Sequence, residues 1–417
     1  MLAPRGRTVS VRSRSRARPT PRSPGTSSST LRTDVGDHAI RAGTALVDGK
    51  VTGPVVLRVS EGLITSLDPP TGDAPYDVSA ATVVPGLIDV HTHGAAGVQV
   101  IDGSDADIEG LAVFYAEHGV TGFLATVGGS REHLLAGVAA VADHIDRAPH
   151  RGARCLGVHL EGPFLSPHAP GAFRAESIVA PDLGLFAELL DAARGHVRMM
   201  TIAPETPGAM DLIAVALRHG VTCSAGHSVA SAAQVATAVD AGVRGVTHLF
   251  NGMAPFHHRE PGLIGAALAD PRLVCELIAD GVHVHPTAIA LAASSKGWQG
   301  LALVSDSIAA TGLPEGSYEL EEQHVTVTGE EARLADGTLA GSTLTLDRAV
   351  ANLARWTGLA LVDAARSATE VPARLVGLGD HHGTIAGGGR ADLAGFDDEH
   401  RLLWTMVGGD LYPAGAS

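Results

Sequence analysis

The chain has few cysteines and no long apolar run. Its three cysteines, Cys155, Cys223 and Cys275, are far apart in apolar segments of a 417-residue sequence. They lack the spacing of a disulfide framework or a CxxC metal site, so we expect buried thiols in a reducing compartment. No segment approaches the roughly 18 consecutive apolar residues of a membrane-spanning helix. The two absences predict a cytoplasmic protein without a membrane partner.

Positive charge is also scarce, and it is unevenly placed. The formal net charge is −15, although residues 1–33 contain eight arginines and no acidic residue. The remainder of the chain is therefore strongly acidic, which argues against nucleic acid as a partner. Residues 1–35 are rich in Arg, Ser, Pro and Thr and lack the apolar core of a secretory signal. We predict a disordered basic tail there.

Two patterns divide the rest of the chain. Short β-like segments broken by Gly and Pro occupy residues 36–84 and 379–417, and they predict one small β-sandwich domain built from both ends. Between them, over residues 85–378, short apolar runs alternate with amphipathic stretches. The runs predicted as strands are 83–90, 121–127, 155–161, 197–204, 221–227, 245–251, 274–281 and 301–307. Eight strand–helix units predict the α/β class and a (β/α)8 TIM barrel, with the helix-rich segment 343–377 packed outside it.

Histidines and carboxylates stand where these predicted strands end. In a TIM barrel the carboxyl ends of the strands meet at the rim that carries the active site. A single histidine there is more often structural, but here six of the eight strands contribute. The residues are Asp89, His91, His93, His159, Glu161, His227, His248, His283 and Asp306. Because His91 and His93 are two positions apart on a strand, both can face one ion. Imidazole and carboxylate ligands suit zinc and other divalent first-row metals.

Asp306 is an additional carboxylate that is not needed to complete a metal site. A carboxylate beside a metal-activated water can remove its proton and later protonate a leaving amine. The alternative is that Asp306 caps a helix within SDSIAATG. The first hypothesis makes Asp306 the catalytic acid and base of an amide hydrolase.

These segments carry a family resemblance. PGLIDVHTHG (85–94) resembles the first-strand signature of the amidohydrolase superfamily. The resemblance to the N-acetylglucosamine-6-phosphate deacetylase family lies in HLEGPF (159–164), SAGHS (224–228), THLFNGM (247–253), HHREPG (257–262), ADGVHV (279–284) and LVSDS (303–307). It extends from about residue 36 to the C-terminus. It implies hydrolysis of the acetamide of N-acetylglucosamine 6-phosphate to glucosamine 6-phosphate and acetate.

The resemblance also implies roles for individual residues. Glu161, His227 and His248 would bind the principal metal, and His91 and His93 a second one, with zinc preferred over iron or another first-row metal and one or two ions per subunit. Asp306 would be the catalytic residue. The residues implied to contact an amino-sugar substrate are Ala172, Asn251, Gly252, Arg259, His283, Leu339, Ala340 and Gly341. Arg259 would reach the phosphate across the interface of a homodimer.

One departure from the family pattern concerns substrate specificity. The family carries Gly-Ala-His after HLEGPF, and this chain has Phe173 in place of the histidine. Phenylalanine donates no hydrogen bond, and His168 is the candidate for replacing the lost contact. A milder departure is Gly252, where the family commonly has alanine. Deacetylation of another N-acetylated sugar or sugar phosphate is therefore an alternative.

Two further alternatives follow from the same residues. Ring-opening amidohydrolases of the hydantoinase or dihydroorotase type use a carbamylated lysine on a barrel strand. The two lysines here, Lys50 and Lys296, do not lie at predicted strand ends, which argues against that type. A non-enzymatic protein that keeps the barrel as a scaffold is the other alternative. Such a protein would have no reason to retain the histidines and Asp306.

Overall fold

The computed structural model describes residues 37–71, 76–147, 151–320 and 323–415. The predicted basic tail, residues 1–35, lies outside the described residues. In the described part of the chain, no helix has the length and apolar character needed to cross a membrane.

The strands alternate with helices through the middle of the chain. The strands are β1 (His38–Val47), β2 (Lys50–Thr52), β3 (Val55–Ser60), β4 (Leu63–Asp68), β5 (Val78–Pro85), β6 (Leu87–Thr92), β7 (Gly94–Ala95), β8 (Val98–Gln99), β9 (Val120–Val127), β10 (Arg154–Glu161), β11 (Val197–Ile202), β12 (Thr222–Ala225), β13 (Gly245–Val246), β14 (Val274–Leu277), β15 (Leu301–Leu303), β16 (Gly316–Leu320), β17 (Gln323–Thr328), β18 (Glu331–Leu334), β19 (Leu393–Phe396), β20 (Leu402–Val407) and β21 (Asp410–Pro413). The α-helices are α1 (Asp105–Glu117), α2 (Arg131–Asp146), α3 (Leu183–Ala193), α4 (Ala209–Arg218), α5 (Ala232–Ala241), α6 (Gly262–Ala269), α7 (Pro286–Lys296), α8 (Leu346–Thr357), α9 (Leu361–Arg366) and α10 (Glu370–Leu375).

Eight parallel strands form the barrel sheet, in the order β6, β9, β10, β11, β12, β13, β14 and β15. Each of the eight predicted apolar runs overlaps one of them, so the predicted barrel is confirmed. All eight residues of β9 are buried, as expected for a strand covered by helices on one side and by barrel core on the other. Several of the helices begin at a residue whose side chain caps them. Ser104 and Ser231 form capping boxes with Asp107 and Gln234 at the starts of α1 and α5.

The first and last barrel strands, β6 and β15, do not form a hydrogen-bonded ladder among the described residues. The turn between α9 and α10 lies between these two strands at one end of the barrel and bonds to both. Ile88 N donates to the carbonyl of Ala368, and Leu303 N to that of Ser367, both at 2.7 Å. The helical segment after the barrel thus completes the backbone pairing that the two strands leave open.

The terminal segments form one mixed sheet in the order β21, β20, β19, β5, β1, β3 and β4, with β2 paired to β1. The central strand β5 pairs parallel with β1 and antiparallel with β19. The sheet folds back on itself, because Ile64 N donates to Gly389 O at 2.8 Å and Ala391 N to Gly62 O at 2.9 Å. It encloses a small core that includes Ile40, Leu57, Ile64, Val83, Leu393, Trp404 and Met406. The predicted β-domain built from both ends of the chain is therefore present.

A small antiparallel sheet, β16–β17–β18, lies between the last barrel strand and α8. No pattern in the sequence predicts it. Its strands pack against a small apolar cluster of Ile308, Ala310, Val325, Val327, Ala332 and Ala340. We call this element the inserted sheet.

Candidate active site

Glu161, the last residue of β10, lies where four imidazoles converge. Its Oε1 is 3.2 Å from Nε2 of His227 and 3.0 Å from Nε2 of His248, and these two nitrogens are 3.0 Å apart. Its Oε2 is 3.0 Å from Nε2 of His93 and 3.3 Å from Nε2 of His91. The two oxygens of one carboxylate therefore face two different pairs of histidines. We call these five residues the Glu161 cluster.

The donor atoms of the Glu161 cluster fit divalent metal ions. In a tetrahedral zinc site with bonds of 2.0–2.1 Å, two ligand atoms lie about 3.3 Å apart. The Nε2 atoms of His91 and His93 are 3.3 Å apart. The group formed by Glu161, His227 and His248 and the group formed by His91, His93 and Glu161 each bring three donor atoms within 4.8 Å of one another. Both halves of the cluster thus have the donor types and spacing of a metal site.

Three residues of the site adopt left-handed backbone conformations. The φ angles are 45° at His227, 31° at His248 and 51° at Asp306, each shortly after the end of a barrel strand. A residue other than glycine rarely has a positive φ, because its Cβ crowds the backbone. Such strain is concentrated at functional sites, where the surrounding structure holds it in place. Here it occurs at two imidazoles of the Glu161 cluster and at the neighbouring carboxylate.

Hydrogen bonds orient the imidazoles toward Glu161. His227 Nδ1 donates to the carbonyl of Ala169 at 2.9 Å, and His91 Nδ1 lies 2.9 Å from Oε2 of Glu276. Partners of this kind fix the tautomer that leaves Nε2 free for a metal. Sequence reasoning missed Glu276. Its signal was a carboxylate within the buried strand segment VCEL, where an apolar residue is the norm.

The electrostatics of the cluster favour an ionised carboxylate. Burial would raise the pKa of Glu161, but the charge of His91 and hydrogen bonds from His227 and His248 hold this pKa well below its ordinary value. Burial would lower the pKa of His91, and the carboxylates of Glu161, Asp306 and Glu276 raise it well above its ordinary value. The chain therefore concentrates negative charge around these imidazoles, which favours a cation there.

Asp306 lies at the rim of the same cluster. Its Oδ1 is 3.5 Å from Nε2 of both His91 and His93, and the residue is 8% exposed. Its backbone N donates to His91 O at 2.9 Å, which ties the end of β15 to β6. The next described α-helix begins at Leu346, so Asp306 caps no helix.

A cavity of about 370 Å³ opens above the cluster. It is lined by eleven of the residues selected from the sequence: His93, Glu161, Ala172, His227, His248, Asn251, Gly252, His283, Asp306, Leu339 and Gly341. Asp89 and His159 of the predicted rim are not in its lining, and neither are three residues to which the family resemblance assigns a role. His91 is fully buried behind it, Ala340 packs in the core of the inserted sheet, and Arg259 is exposed, with its Nη1 2.8 Å from His258 Nε2.

The inserted sheet supplies pocket residues that the sequence analysis did not identify, namely Gln323, Arg333 and the nearby Thr338. Gln323 Nε2 donates to the carbonyl of Ala172 at 3.0 Å, which joins this sheet to the loop beneath it. No motif in the sequence marks these positions. The sheet therefore covers one side of the cavity.

Phe173, which follows Ala172 in this loop, forms part of the cavity wall. Its ring lies edge-on to the imidazole of His227, with centroids 5.2 Å apart. His168 is exposed and is not among the residues that line the cavity, so it does not replace the missing imidazole in this structure. At Gly252 the φ angle is 58°, and an added Cβ would lie 2.9 Å from His227 Nδ1. Glycine at this position lets the Asn251 loop approach His227 closely.

His283 is the remaining imidazole of the pocket. Its Nδ1 is 2.6 Å from Oδ2 of Asp280, whose other oxygen accepts from the backbone N of Val282 and of His283 at 2.8 Å. This short loop fixes the ring and turns Nε2 toward the cavity.

The cysteines take no part in the site. Cys223 and Cys275 are buried, whereas Cys155 is half-buried, and all three are free thiols. Burial raises the pKa of each to about 12, so they stay protonated near neutral pH. A protonated thiol is a poor metal ligand, which leaves the imidazoles and carboxylates as the metal-binding groups.

The chain is similar to known amino-sugar phosphate deacetylases. It is 37% identical to N-acetylglucosamine-6-phosphate deacetylase of Bacillus subtilis (strain 168), with 85% of this chain and 91% of the relative covered. It is 35% identical to N-acetylgalactosamine-6-phosphate deacetylase of Escherichia coli O157:H7, with 90% and 99% covered.

Solved structures of similar proteins lead to the same family. N-acetyl-D-glucosamine-6-phosphate deacetylase from Mycobacterium smegmatis, solved as a mutant in complex with N-acetyl-D-glucosamine-6-phosphate, matches with a TM-score of 0.85 and 34% identity, covering 90% of this chain and 99% of that one. The Thermotoga maritima enzyme matches with a TM-score of 0.78 and 33% identity, covering 86% and 95%. The model of the amidohydrolase family matches residues 82–411. The chain therefore belongs to the amidohydrolase family and, within it, to the N-acetylglucosamine-6-phosphate deacetylases.

Proposed function

We propose that this chain hydrolyses the acetamide of N-acetylglucosamine 6-phosphate, releasing acetate and glucosamine 6-phosphate. The observation that carries the proposal is the Glu161 cluster, which opens into a cavity beside Asp306. The cavity of about 370 Å³ falls within the range of small-molecule sites. The relatives named above are deacetylases of the same substrate or of its galactosamine counterpart.

The proposed metal ligands are the residues of the Glu161 cluster. Glu161, His227 and His248 would hold the principal ion, and His91 and His93 a second one together with Glu161. Zinc suits a mixed imidazole and carboxylate site, and iron or another first-row metal is the alternative. When bound, a divalent ion supplies Lewis acidity that polarises the acetamide carbonyl and makes water a better nucleophile near neutral pH.

Asp306 would be the proton carrier. Its carboxylate lies beside the Glu161 cluster at 3.5 Å and faces the cavity, so it can accept a proton from the attacking water. It would then return this proton to the amine nitrogen as the carbon–nitrogen bond breaks. His283, held by Asp280, would hydrogen-bond the acetamide oxygen or the sugar through Nε2.

Other residues would bind the sugar phosphate. Asn251 and Gly252 would contact the sugar from one side, and the backbone of Leu339, Ala340 and Gly341 from the other, next to Ala172. Arg259 would bind the phosphate with paired hydrogen bonds from its planar guanidinium. It lies outside the cavity of its own chain, which fits a role in the neighbouring subunit of a homodimer.

We also propose the organisation around this site. The small β-domain would comprise residues 36–84 and 379–417, and the catalytic domain residues 85–378. The enzyme would act in the cytoplasm, where a phosphorylated sugar is retained and free thiols remain reduced.

The decisive experiment is acetate release from a panel of N-acetylated sugars, with Zn²⁺, Fe²⁺, Mn²⁺ or Co²⁺ added to metal-free protein. The panel contains N-acetylglucosamine and N-acetylgalactosamine, each with and without the 6-phosphate. We expect the highest kcat/KM for N-acetylglucosamine 6-phosphate and no turnover without metal. Weak turnover of this substrate beside strong turnover of an unphosphorylated sugar would contradict the proposal.

A second candidate substrate is N-acetylgalactosamine 6-phosphate. Two observations favour it: Phe173 replaces the family histidine in the pocket wall, and one of the similar relatives is named for that activity. The two sugars differ in the configuration of one hydroxyl, so the loss of one hydrogen-bond donor can change the preference between them. The same panel separates them.

The alternative of a non-enzymatic scaffold is tested by metal analysis. After chelation, reloading and dialysis, an enzyme with the Glu161 cluster as its metal site should retain divalent metal. A protein that binds no metal and releases no acetate from any member of the panel would be a scaffold.

A further inference from the structure

Glu276 is a buried carboxylate that the proposed reaction does not use. It lies on β14 inside the barrel, with none of its surface exposed. Burying a carboxylate without compensation is costly, so such a group is retained where a partner requires it. Its Oε2 lies 2.9 Å from His91 Nδ1 and 3.2 Å from the backbone N of His248, whereas Oε1 has no hydrogen-bond partner among the described residues.

The contact determines how His91 faces the rest of the cluster. A carboxylate oxygen beside a ring nitrogen of a metal-binding imidazole accepts a hydrogen bond from it, so Nδ1 of His91 carries the hydrogen. The Nε2 atom then points to Oε2 of Glu161 at 3.3 Å and to Nε2 of His93 at 3.3 Å. The bond to Glu276 thus presents the side of the imidazole that can bind a metal, and it increases the basicity of that nitrogen.

The other half of the Glu161 cluster is oriented differently. Nδ1 of His227 donates to the carbonyl of Ala169, a main-chain group that side-chain substitution leaves in place. His248 meets Glu276 only through its backbone N. Glu276 therefore contacts one imidazole through its ring, and this imidazole belongs to the second metal group, formed by His91, His93 and Glu161.

From these contacts we infer that Glu276 is the positioning residue of the second metal site. The inference rests on the proposed metal-dependent function. It names the residue, beyond the five of the Glu161 cluster, on which binding of the second ion depends.

The test is metal binding, measured without turnover. Metal-free protein is titrated with Zn²⁺ against a chromophoric chelator, and bound zinc is counted by mass spectrometry after dialysis. We expect two ions per wild-type chain. Glu276→Leu removes the hydrogen-bond acceptor of His91 and should lower the affinity for the second ion about 10- to 100-fold, while the first ion is retained. Glu276→Gln keeps an amide oxygen that can accept from His91 Nδ1, so it should lie between Glu276→Leu and wild type.

Two controls separate positioning from general damage to the barrel. His91→Ala removes the ligand itself and sets the expected pattern of one retained ion. Ser224→Ala alters another buried polar residue, on β12, whose hydroxyl is 2.7 Å from Thr247 Oγ1 and, among the described residues, makes no hydrogen bond to the Glu161 cluster. It should bind two ions as wild type does.

Several outcomes would overturn the inference. The inference is wrong if both Glu276 variants bind two ions with wild-type affinity. It is also wrong if the variants bind both ions more weakly by the same factor. If Glu276→Leu does not fold, Glu276→Gln decides alone, and unchanged affinity for the second ion refutes the role. A wild-type chain with one ion refutes the inference but leaves the proposed function intact, whereas a wild-type chain with none refutes both.

Discussion

At the scale of single residues, Asp306 and Glu161 are carboxylates of one pocket with different surroundings. The oxygens of Glu161 lie 3.0–3.3 Å from four imidazole nitrogens, whereas Asp306 Oδ1 is 3.5 Å from its two nearest ones. Asp306 also lines the cavity directly. This geometry suits a ligand in the first case and a mobile proton carrier in the second.

We therefore predict that Asp306→Asn retains metal and fold but loses turnover. The amide cannot accept a proton from water, and general acid–base catalysis contributes about 10²- to 10⁴-fold. The expected result is a fall in kcat of this size with bound zinc and melting temperature unchanged, measured by acetate release, mass spectrometry and circular dichroism. Near-normal kcat would remove Asp306 from the proposed role.

The sequence predicted most of these residues, but not all. Six of the predicted barrel strands end in or lead to His, Asp or Glu, and the carboxyl ends of barrel strands share one rim, so the convergence of several of these side chains around Glu161 followed from the topology. Their roles as ligands remain predictions. Glu276 could not be found this way, because it lies within a strand and the residues next to it in sequence are apolar. One sequence does not show that its side chain reaches His91 from across the barrel.

At the scale of elements, the inserted sheet forms one side of the pocket. Its contact with the loop beneath is the hydrogen bond from Gln323 Nε2 to Ala172 O, 3.0 Å long. This bond joins two pocket walls that are about 150 positions apart in sequence. A substrate held between them depends on the spacing that this bond maintains.

We predict that Gln323→Ala raises KM for the preferred substrate about five-fold with little change in kcat, because a hydrogen bond contributes about 1 kcal/mol. Steady-state kinetics measure both parameters. The matched control is His324→Ala, an exposed position next in the same strand, which should behave as wild type. If kcat falls and KM stays constant, the inserted sheet does more than shape the binding site.

The barrel strands were predictable because each is a short apolar run followed by an amphipathic stretch, a pattern set by burial on both faces. The inserted sheet was not. Only alternating positions such as Val325 and Val327 face its small core, and the residues next to them are polar. Burial of so few side chains leaves a weak apolar pattern in the sequence.

At the scale of the whole molecule, an ion pair joins the barrel to the terminal sheet. Arg154 begins β10, and both of its terminal nitrogens contact the carboxylate of Asp392, next to β19, with Nη1 3.2 Å from Oδ1. Asp392 also accepts from the backbone N of Gly408 at 2.8 Å. Burial opposes ionisation of Asp392, but Arg154 holds its pKa below the ordinary value of 3.8.

We predict that Asp392→Asn lowers the free energy of unfolding by about 2 kcal/mol at pH 7, the magnitude of a hydrogen bond to a charged group. A carboxyl group whose pKa is lowered in the folded state stabilises the protein at pH values above its unfolded-state pKa. This stabilisation is lost as the pH falls through the folded-state pKa. The difference between wild type and variant should therefore shrink below about pH 4. Urea unfolding with a chelator present measures it, and a difference that grows toward acid would contradict the assignment.

The terminal sheet shows how much of the tertiary structure can be predicted from the sequence. Both ends of the chain have β-like patterns, which predicted one domain from two distant segments. The pairing of β5 with both β1 and β19 was not predictable, because alternation gives the buried face of a strand but not its neighbour.

The last prediction concerns assembly. Arg259 is exposed and absent from the cavity of its own chain, and we propose that it completes the site of a neighbouring subunit. In that case two defective variants should complement each other. An Arg259→Ala subunit keeps Asp306 and receives Arg259 from an Asp306→Asn partner, so a mixed dimer has one complete site and about half the activity of wild type. Coexpression with two affinity tags and sequential purification isolates this dimer. Its kcat/KM for the phosphorylated sugar should far exceed that of either parent dimer. If Arg259 acted within its own chain, neither site of the mixed dimer would be complete, and the activity would stay at the level of the parents.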